Sequence, residues 1–238
     1  MELTARDIAR LLNVSPEMVY RWIKEKGLPA RRLNEQYRCN RTQLLEWASA
    51  RRIPLAPHLF RELKDSRHAS GLNLTRTLEV GGIVYDLPGH DRRSVIEAIV
   101  ERLPLPSEAN RTLLLRMLLA RERMGSTGIG EGIAIPHVRN PVILHVRAPM
   151  VTLGFLRHPV DFHAVDGKPV SVLFTLISPT IRLHLRLLSR LAFALQDSRV
   201  RRILQDHRSE LEILAAFSRA ESHVEETKIS SDGKGSRA

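Results

Sequence analysis

Residues 125–137 read GSTGIGEGIAIPH, and this stretch decides how the second half of the chain folds. Four glycines in the eight residues 125–132 allow the backbone to turn its amides inward around an anion. The apolar residues 133–135 that follow are typical of a short buried strand. Because Pro136 favours an extended conformation in the residue before it, we expect His137 at a fixed strand end, facing the glycine-rich loop.

The loop and the histidine together favour phosphoryl chemistry. A neutral imidazole nitrogen is a competent nucleophile toward phosphorus, and a phosphorylated His137 gains about two negative charges that need donors nearby. We expect a phosphate-cradling loop formed by Gly125, Ser126, Thr127, Gly128, Gly130 and Gly132. Two nucleotide-binding interpretations are excluded, since a Walker loop needs Gly-Lys-Ser/Thr before a helix and the spacing G-x-G-x-G is not the dinucleotide fingerprint.

Outward from this stretch, residues 72–220 alternate between strand-like and helix-like patterns. Strands are predicted at 83–85, 133–135, 150–156 and 170–177, and helices at 92–102, 108–123, 179–196 and 209–218. This alternation predicts an α/β domain with a central sheet flanked by helices. Pro54, Pro57 and the polar residues after them predict a linker over 53–71. The polar residues 221–238 have little to bury and are expected to form a disordered tail.

Residues 1–52 predict a second, smaller domain of mainly helical structure. A capping box at Thr4–Asp7 opens a first helix, and Ser15-Pro16 opens a second helix after a tight turn. Two short helices joined by a tight turn are typical of a helix-turn-helix. Residues 28–38 predict a basic hairpin, and Asn40 is placed to cap a third helix.

The exposed face of the second helix and the hairpin carry side chains suited to base edges and phosphates. The DNA-binding candidates are Glu17, Tyr20, Arg21 and Lys24 on the helix, and Arg31, Arg32, Tyr37 and Arg38 in the hairpin. The alternative is that the helix pair serves only packing or protein contact. A domain this small has little area for affinity, so we expect a homodimer at a specific site. Cys39 is expected to be a small filler residue rather than a redox sensor.

Charge and composition agree with a polyanionic partner. The 238 residues include 37 Lys and Arg against 26 Asp and Glu, for a formal net charge of +11, and residues 1–68 and 69–220 each carry +6. The single cysteine excludes an internal disulfide and a multi-cysteine metal site. We expect no metal site, because the spacing of His158, Asp161 and His163 is a weak signal. Since no signal peptide and no membrane-spanning run is recognisable, a cytoplasmic location is expected.

The first domain resembles a known family. Residues 3–47, LTARDIARLLNVSPEMVYRWIKEKGLPARRLNEQYRCNRTQLLEW, are similar nearly end to end to the excisionase/MerR-like winged helix family. The resemblance implies that the second helix enters the major groove. It also implies that the hairpin acts as a wing that contacts the backbone or the minor groove.

The second domain closely resembles enzyme IIA of the phosphotransferase system, in the mannitol/fructose and nitrogen-regulatory class. The signature runs from Glu122 through Ile129-Gly130 to His137. Further similar stretches are YDLPG at 85–89, RLPLP at 102–106, DFHAVDGKPVSVLFTLISP at 161–179 and HLRLLSRLA at 184–192. The resemblance implies a mixed sheet flanked by helices. It also implies that His137 receives a phosphoryl group from the phosphohistidine of an HPr-type carrier.

Two more site residues are implied by position in this family. Arg121 matches an arginine that stabilises the phosphoryl group, and His184 matches a histidine beside the phosphorylated one. From the residues alone, Arg121 also suits a helix C-terminus, and a lone histidine such as His184 on an apolar helix face is usually a core residue. Val138 departs from the family, which usually has a small residue there. Whether its β-branched side chain crowds the donor, and so slows or abolishes transfer, is left open by the sequence. The wet face of the helix that carries His184 is predicted at Arg182, Arg186, Ser189 and Arg190.

Three functions follow from these resemblances. The first is a DNA-binding regulator whose enzyme IIA-like domain is phosphorylated on His137, which couples phosphotransferase status to transcription. The second is a stoichiometric phosphohistidine carrier that passes phosphate to a IIB partner, and the third is a non-transferring pseudo-carrier that docks proteins. The expected partners are an HPr-type carrier, DNA, and a IIB domain or regulated protein in trans. No cofactor is expected.

Overall fold

The computed structural model describes most of both predicted domains. The described residues are 2–33, 36–40, 43–44, 47–48, 51, 53, 72–138, 146 and 148–232. Residues 54–71 of the predicted linker and residues 233–238 of the predicted tail lie outside these ranges.

In the first domain a three-stranded sheet accompanies a pair of helices. The elements are β1 (Glu2–Thr4), α1 (Ala5–Leu12), α2 (Pro16–Glu25), β2 (Ala30–Leu33) and β3 (Gln36–Asn40). The sheet is antiparallel in the order β1-β3-β2. The predicted capping box is present: Asp7 N–H donates to Thr4 Oγ1 at 3.2 Å, and Thr4 N–H donates to the Asp7 carboxylate at 2.9 Å. Asn13, with φ of 52°, ends α1, and the Ser15 side chain caps α2.

Two tryptophans close the small core of this domain. Residues 43–44 and 47–48 are helical, in agreement with the predicted third helix, while Leu45 lies outside the described residues. The rings of Trp22 and Trp47 lie 5.4 Å apart between centroids. Trp47 Nε1–H donates to the carbonyl of Lys26 at 3.0 Å, so Trp47 ties the third helical segment to the end of α2.

The second domain has a central mixed sheet with helices around it, so the predicted α/β class is confirmed. Its elements are α3 (Leu74–Gly81), β4 (Ile83–Leu87), α4 (Arg92–Arg102), α5 (Arg111–Arg123), β5 (Gly128–Gly130), β6 (Ile133–Ala134), β7 (Met150–Val160), β8 (Val170–Ile177), α6 (Ile181–Ala194), α7 (Ser198–Gln205) and α8 (Glu210–Asp232). The strand order is β4-β7-β8-β6-β5. Strands β4 and β7 are parallel, as are β6 and β8, whereas the pairs β7/β8 and β5/β6 are antiparallel.

The structure differs from the sequence prediction at the edges of this domain. Helices α3 and α7 and strand β5 were not predicted, although Asn73, whose side chain accepts from Arg76 N–H at 2.9 Å, is a recognisable cap for α3. Residues 221–232, expected to be a disordered tail, continue helix α8. The physical reason lies at Glu221, whose carboxylate is hydrogen-bonded to the start of α3 and therefore has a fixed place in the domain.

Gly81→Ala tests the close approach of α3 to β7. We expect this variant to lower the free energy of unfolding by about 3 kcal/mol. A Cβ at Gly81 would lie 2.1 Å from the carbonyl oxygen of Val151, and relieving this clash requires the backbone of a buried strand to shift. Urea unfolding of the full chain measures the loss. Val80→Ala, at the neighbouring exposed side chain, is the control and should change stability by less than about 0.5 kcal/mol. Equal stabilities of the two variants would contradict this packing.

Candidate functional site

His137 lies at the end of the strand segment that runs beside β8. It pairs with Leu176 in an isolated parallel bridge, and Leu176 N–H donates to the Pro136 carbonyl at 3.3 Å. The Nδ1 atom of His137 lies 2.7 Å from the carbonyl oxygen of Ile135. Because a carbonyl can only accept, Nδ1 carries the proton in this contact, and the lone pair of the neutral ring is on Nε2.

His184, on α6, lies beside His137. The centroids of the two rings are 5.2 Å apart and their planes are inclined by 34°. His137 is 2% exposed and His184 is fully buried. The second histidine is therefore paired with the first in one buried site, which sets it apart from an isolated core histidine.

The last turn of α5 places Arg121 beside the segment that leads into β5. Arg121 is buried, and its Nη1 atom donates to the Gly125 carbonyl at 2.7 Å. Ile135 N–H donates to the Thr127 carbonyl at 3.0 Å, so residues 125–127 run beside the strand that leads to the histidine. Arg121 thus anchors the backbone just before the residue that pairs with Ile135.

The glycine-rich stretch forms a β-hairpin. Gly128–Gly130 is a strand, antiparallel to β6, and the chain reverses at Glu131 and Gly132, which have φ of 54° and 76°. The Glu131 N–H donates to the Asp166 carboxylate at 2.7 Å, which holds the turn against the loop before β8. A tight hairpin directs its inner backbone groups to its own partner strand, because strand pairing satisfies them there.

The two hydroxyls of this stretch also have partners within the protein. Ser126 Oγ donates to the Phe162 carbonyl at 2.5 Å and accepts from Gly128 N–H at 2.9 Å. Thr127 donates to Glu122 through both its hydroxyl, at 2.6 Å, and its backbone N–H, at 3.1 Å. The glycine-rich stretch is thus a β-hairpin whose two hydroxyls serve the protein's own acceptors. Its role as a phosphate-cradling loop stays a prediction. The residues concerned are Gly125, Ser126, Thr127, Gly128, Gly130 and Gly132.

Glu122 is the residue of this region whose role the sequence reading missed. Its carboxylate is buried, binds Thr127 as described, and lies 4.0 Å from Nη1 of Arg92. Burial raises the pKa of Glu122 above its usual 4.5, while hydrogen bonds from Thr127 and the charges of Arg121 and Arg92 oppose the rise. The position was visible as the acidic start of the signature, but its partner Thr127 becomes apparent only in the fold.

Burial around the histidines is more extensive than the sequence predicts. Val138 is fully buried in the core with Ala134 and Leu173, so its branched side chain packs inward. The predicted wet face of α6 is also reduced, because Arg186 and Ser189 are buried. Helices α3 and α8 both pack against α6, and a sequence period does not reveal that a helix is covered on more than one side.

On α2, the predicted DNA-binding residues share one exposed face. The side chains follow the helical spacing i, i+3, i+4 and i+7, which places them in one row. All of them are exposed, and they are Glu17, Tyr20, Arg21 and Lys24. The helix therefore presents a polar face with two cations and one aromatic ring.

The hairpin candidates divide between the two faces of the sheet. Arg32 pairs with Tyr37, and Arg31 pairs with Arg38, and successive residues of a strand point to opposite faces. The Tyr37 ring lies 5.9 Å from Tyr20 of α2, so the Arg32/Tyr37 face adjoins the exposed face of α2. Arg31 forms an ion pair with Glu2 on the other face. The sequence grouped these four residues together, whereas the structure brings only one pair of them beside α2.

Three further expectations concern sites outside these surfaces. Cys39 is 1% exposed and burial raises the pKa of its thiol to about 12, in keeping with a filler residue. Asp161 and His163 contact each other at 2.7 Å, and within the described ranges no three metal-ligating side chains converge. In the same part of the chain, no helix has the length and apolar character needed to cross a membrane.

Comparison with known proteins assigns both domains. The family described as "Phosphoenolpyruvate-dependent sugar phosphotransferase system, EIIA 2" matches residues 77–220, more than half of the chain. The chain belongs to this EIIA family. A second family, described as "Helix-turn-helix domain", matches residues 2–52. The predicted fusion of an enzyme IIA-type domain to a helix-turn-helix domain is confirmed.

Individual relatives of the EIIA domain carry nitrogen regulatory names. The "Nitrogen regulatory protein" of Pseudomonas aeruginosa is 37% identical over 134 residues, which cover 55% of this chain and 84% of the relative. That of Klebsiella oxytoca is 35% identical over 158 residues, or 66% of this chain and 96% of the relative. The crystal structure of nitrogen regulatory protein IIA-Ntr from Neisseria meningitidis has a TM-score of 0.54 and 33% identity, covering 60% of this chain and 98% of that one.

Glu122→Gln tests the raised pKa in the EIIA domain. We expect the free energy of unfolding of the wild type to rise relative to that of Glu122→Gln as pH falls from 7 toward 4.5. Because burial raises the pKa of Glu122 above 4.5, the folded chain holds a proton that the unfolded chain releases in this range, so stability falls as pH rises. Each tenfold difference in proton affinity is worth about 1.4 kcal/mol. The glutamine still accepts from Thr127 but does not titrate.

Urea unfolding of the two chains at several pH values measures this difference. Glu79→Gln, which removes a more exposed carboxylate on α3, is the control for the loss of one acid. A stability difference between wild type and Glu122→Gln that stays flat, or that grows with rising pH, would contradict the raised pKa.

Proposed function

We propose that the chain is a DNA-binding regulator whose EIIA domain is phosphorylated on His137 by an HPr-type carrier, so that phosphotransferase status reaches transcription. The observation that carries the proposal is the buried pair of His137 and His184 at one strand end. This pair occurs in a chain that also has a helix-turn-helix domain. The regulatory names of the relatives support the same function.

The tautomer of His137 assigns the reacting atom. Nε2 holds the lone pair, attacks the phosphorus of the carrier's phosphohistidine and forms the new N–P bond, while the carrier's own N–P bond breaks and its electron pair returns to the carrier's ring. The proton on Nδ1 stays in its hydrogen bond to the Ile135 carbonyl. That bond orients the ring and stabilises the positive charge that the imidazole acquires during transfer.

His184 and Arg121 are the proposed donors to the transferred group. A histidine ring at a centroid distance of 5.2 Å is close enough to reach a phosphoryl oxygen on Nε2 of His137. The Arg121 guanidinium suits two phosphoryl oxygens at once, and its Nη1 contact with Gly125 fixes where it can lie. Because the site is buried, these charge-assisted contacts are stronger than they are at a surface.

Burial also sets a requirement for transfer. His137 is 2% exposed, and we propose that local opening of the site gives the carrier access to Nε2. The phosphorylated form then exchanges a neutral buried ring for a group with about two negative charges. The two forms therefore differ in the charge of their interior, which is what a switch requires.

A second candidate function is a phosphohistidine carrier that delivers its phosphoryl group to a IIB partner. The description of the matched family, a sugar phosphotransferase component, favours it. The two candidates differ in the fate of the phosphoryl group, which the carrier loses to a IIB domain and the regulator retains while it acts on DNA. A third candidate, a non-transferring pseudo-carrier, has no feature of the described site in its favour, since Val138 is buried in the core.

For the helix-turn-helix domain, the proposed DNA interface combines the exposed face of α2 with the Arg32/Tyr37 face of the hairpin. The contact between Tyr20 and Tyr37 makes these two faces continuous. The cations Arg21 and Lys24 suit phosphates and guanine edges. A homodimer, which doubles the contact area, is the proposed binding form.

The phosphoacceptor is tested by incubating the full chain with labelled phosphoenolpyruvate, enzyme I and an HPr-type carrier. We expect label on the wild type and none on His137→Ala. His184→Gln should slow transfer by about 100-fold, the usual cost of one lost donor to developing charge. His163→Ala, at an exposed histidine, is the matched control and should label like the wild type.

Label on His137→Ala would contradict the assignment of His137 as the phosphoacceptor. A wild-type chain without label would contradict it as well. Addition of a IIB domain to the labelled chain separates the two candidate functions. Quantitative passage of label to that domain favours the carrier, whereas retained label favours the regulator.

The DNA interface is tested by fluorescence anisotropy with duplex DNA over a range of salt. We expect Arg21→Ala and Lys24→Ala each to lower the magnitude of the salt slope by about 1, the contribution of one phosphate contact. Arg31→Ala, on the opposite hairpin face, is the control and should have a smaller effect. An unchanged slope for the two α2 variants would contradict the interface, and equal affinity of the phosphorylated and unphosphorylated chain would contradict the switch.

A further inference from the structure

The carboxylate of Glu221 joins three helices of the EIIA domain. From α8 it accepts hydrogen bonds from the backbone N–H groups of Leu74 and Thr75 in the first turn of α3, at 2.7 and 3.1 Å, and from Thr75 Oγ1 at 3.0 Å. It also forms an ion pair with Nη1 of Arg190 on α6, at 2.7 Å. One side chain therefore satisfies the start of α3 and holds a cation of α6 at the same time.

Because Glu221 contacts both α3 and α6, this junction can transmit a movement of α6 to the start of α3. The Glu221 side chain is 13% exposed and the Arg190 side chain 23%, so solvent screens their interaction less than it screens a surface pair. The first N–H groups of a helix have no partner within the helix and carry the positive end of its dipole. Glu221 therefore balances two positive groups, and movement of either one alters its hold on the other.

The location of the junction relates it to both domains. Arg190 lies six residues beyond His184 on α6, about 9 Å along the helix axis. Leu74 opens the first helix of the EIIA domain, so the segment that arrives from the helix-turn-helix domain enters at this turn. The junction thus connects the helix of the second site histidine to the entry point of the interdomain segment.

We propose that Glu221 and Arg190 are positioning residues through which phosphorylation of His137 alters the start of α3. This inference rests on the proposed function. When the phosphoryl group engages His184, α6 shifts as a rigid element and carries Arg190 away from the carboxylate of Glu221. The hydrogen bonds from the Leu74 and Thr75 amides to the carboxylate then weaken, and the first turn of α3 becomes less well held.

Amide hydrogen exchange of the full chain tests this proposal directly. The chain is kept phosphorylated by excess phosphoenolpyruvate with catalytic enzyme I and HPr-type carrier, and exchange is followed by NMR. We expect the exchange of the Leu74 and Thr75 amides to become at least about 5-fold faster on phosphorylation, the lower end of typical coupling between sites. The Arg76 amide, which donates to Asn73 in the same turn, is the internal control and should change less.

Variants of Arg190 separate a positioning role from a purely structural one. Arg190→Met leaves the Glu221 carboxylate on α3 but removes its link to α6, so phosphorylation should no longer change the two exchange rates. Arg190→Lys keeps a cation at this place and should restore the response. Glu79→Gln, which breaks the exposed pair of α3 with Arg76, should respond like the wild type.

Three outcomes would contradict the proposal. A wild-type chain that carries label on His137 yet shows unchanged exchange at Leu74 and Thr75 overturns the junction and leaves the phosphoacceptor standing. A response that persists in Arg190→Met also overturns the junction. A wild-type chain that takes no label overturns the proposed function, and the junction with it.

Discussion

The pairing of residues 133–137 with β8 is the constraint on which the site depends. β8 is the buried central strand, and its bonds to the neighbouring segment end at the bridge between His137 and Leu176. At the end of this paired segment the Ile135 carbonyl contacts Nδ1 of His137 and assigns its tautomer. On the other side of the segment, Ile135 N–H donates to the Thr127 carbonyl. A slip of this register by one residue would turn His137 to the other face of the sheet.

The sequence correctly predicts those elements whose signals lie in neighbouring residues. The capping box at Thr4 and Asp7 and the strand end at His137 depend on neighbouring residues, and both were predicted from the chain alone. The mixed sheet, by contrast, came from family resemblance, since alternation of strands and helices does not determine their order. Helix α8 was cut short in the prediction because the partner that gives Glu221 its place lies 146 residues earlier.

The glycine-rich stretch shows what a local pattern leaves undetermined. Four glycines with two hydroxyls predict an anion-binding loop only if their donors lack partners in the fold, and here Ser126 and Thr127 bind Phe162 and Glu122. Arg186 was misplaced for a related reason, since the helical period describes one face and α6 is covered on more than one. In both cases the missing information was tertiary: the acceptors and the covering helices come from distant parts of the chain.

The burial of both histidines bears on how a phosphoryl signal leaves the site. A group with about two negative charges beside a fully buried ring has few solvent molecules to stabilise it, so the protein's own cations must move to do so. Arg121 is hydrogen-bonded to Gly125, whereas α6 carries both the second site histidine and the arginine that pairs with Glu221, so the proposed response passes through α6. A surface phosphoacceptor would relax through water instead. Under the proposed function, burial slows the encounter with the carrier. It also directs the response into α6, whose Arg190 pairs with the carboxylate that binds the start of α3.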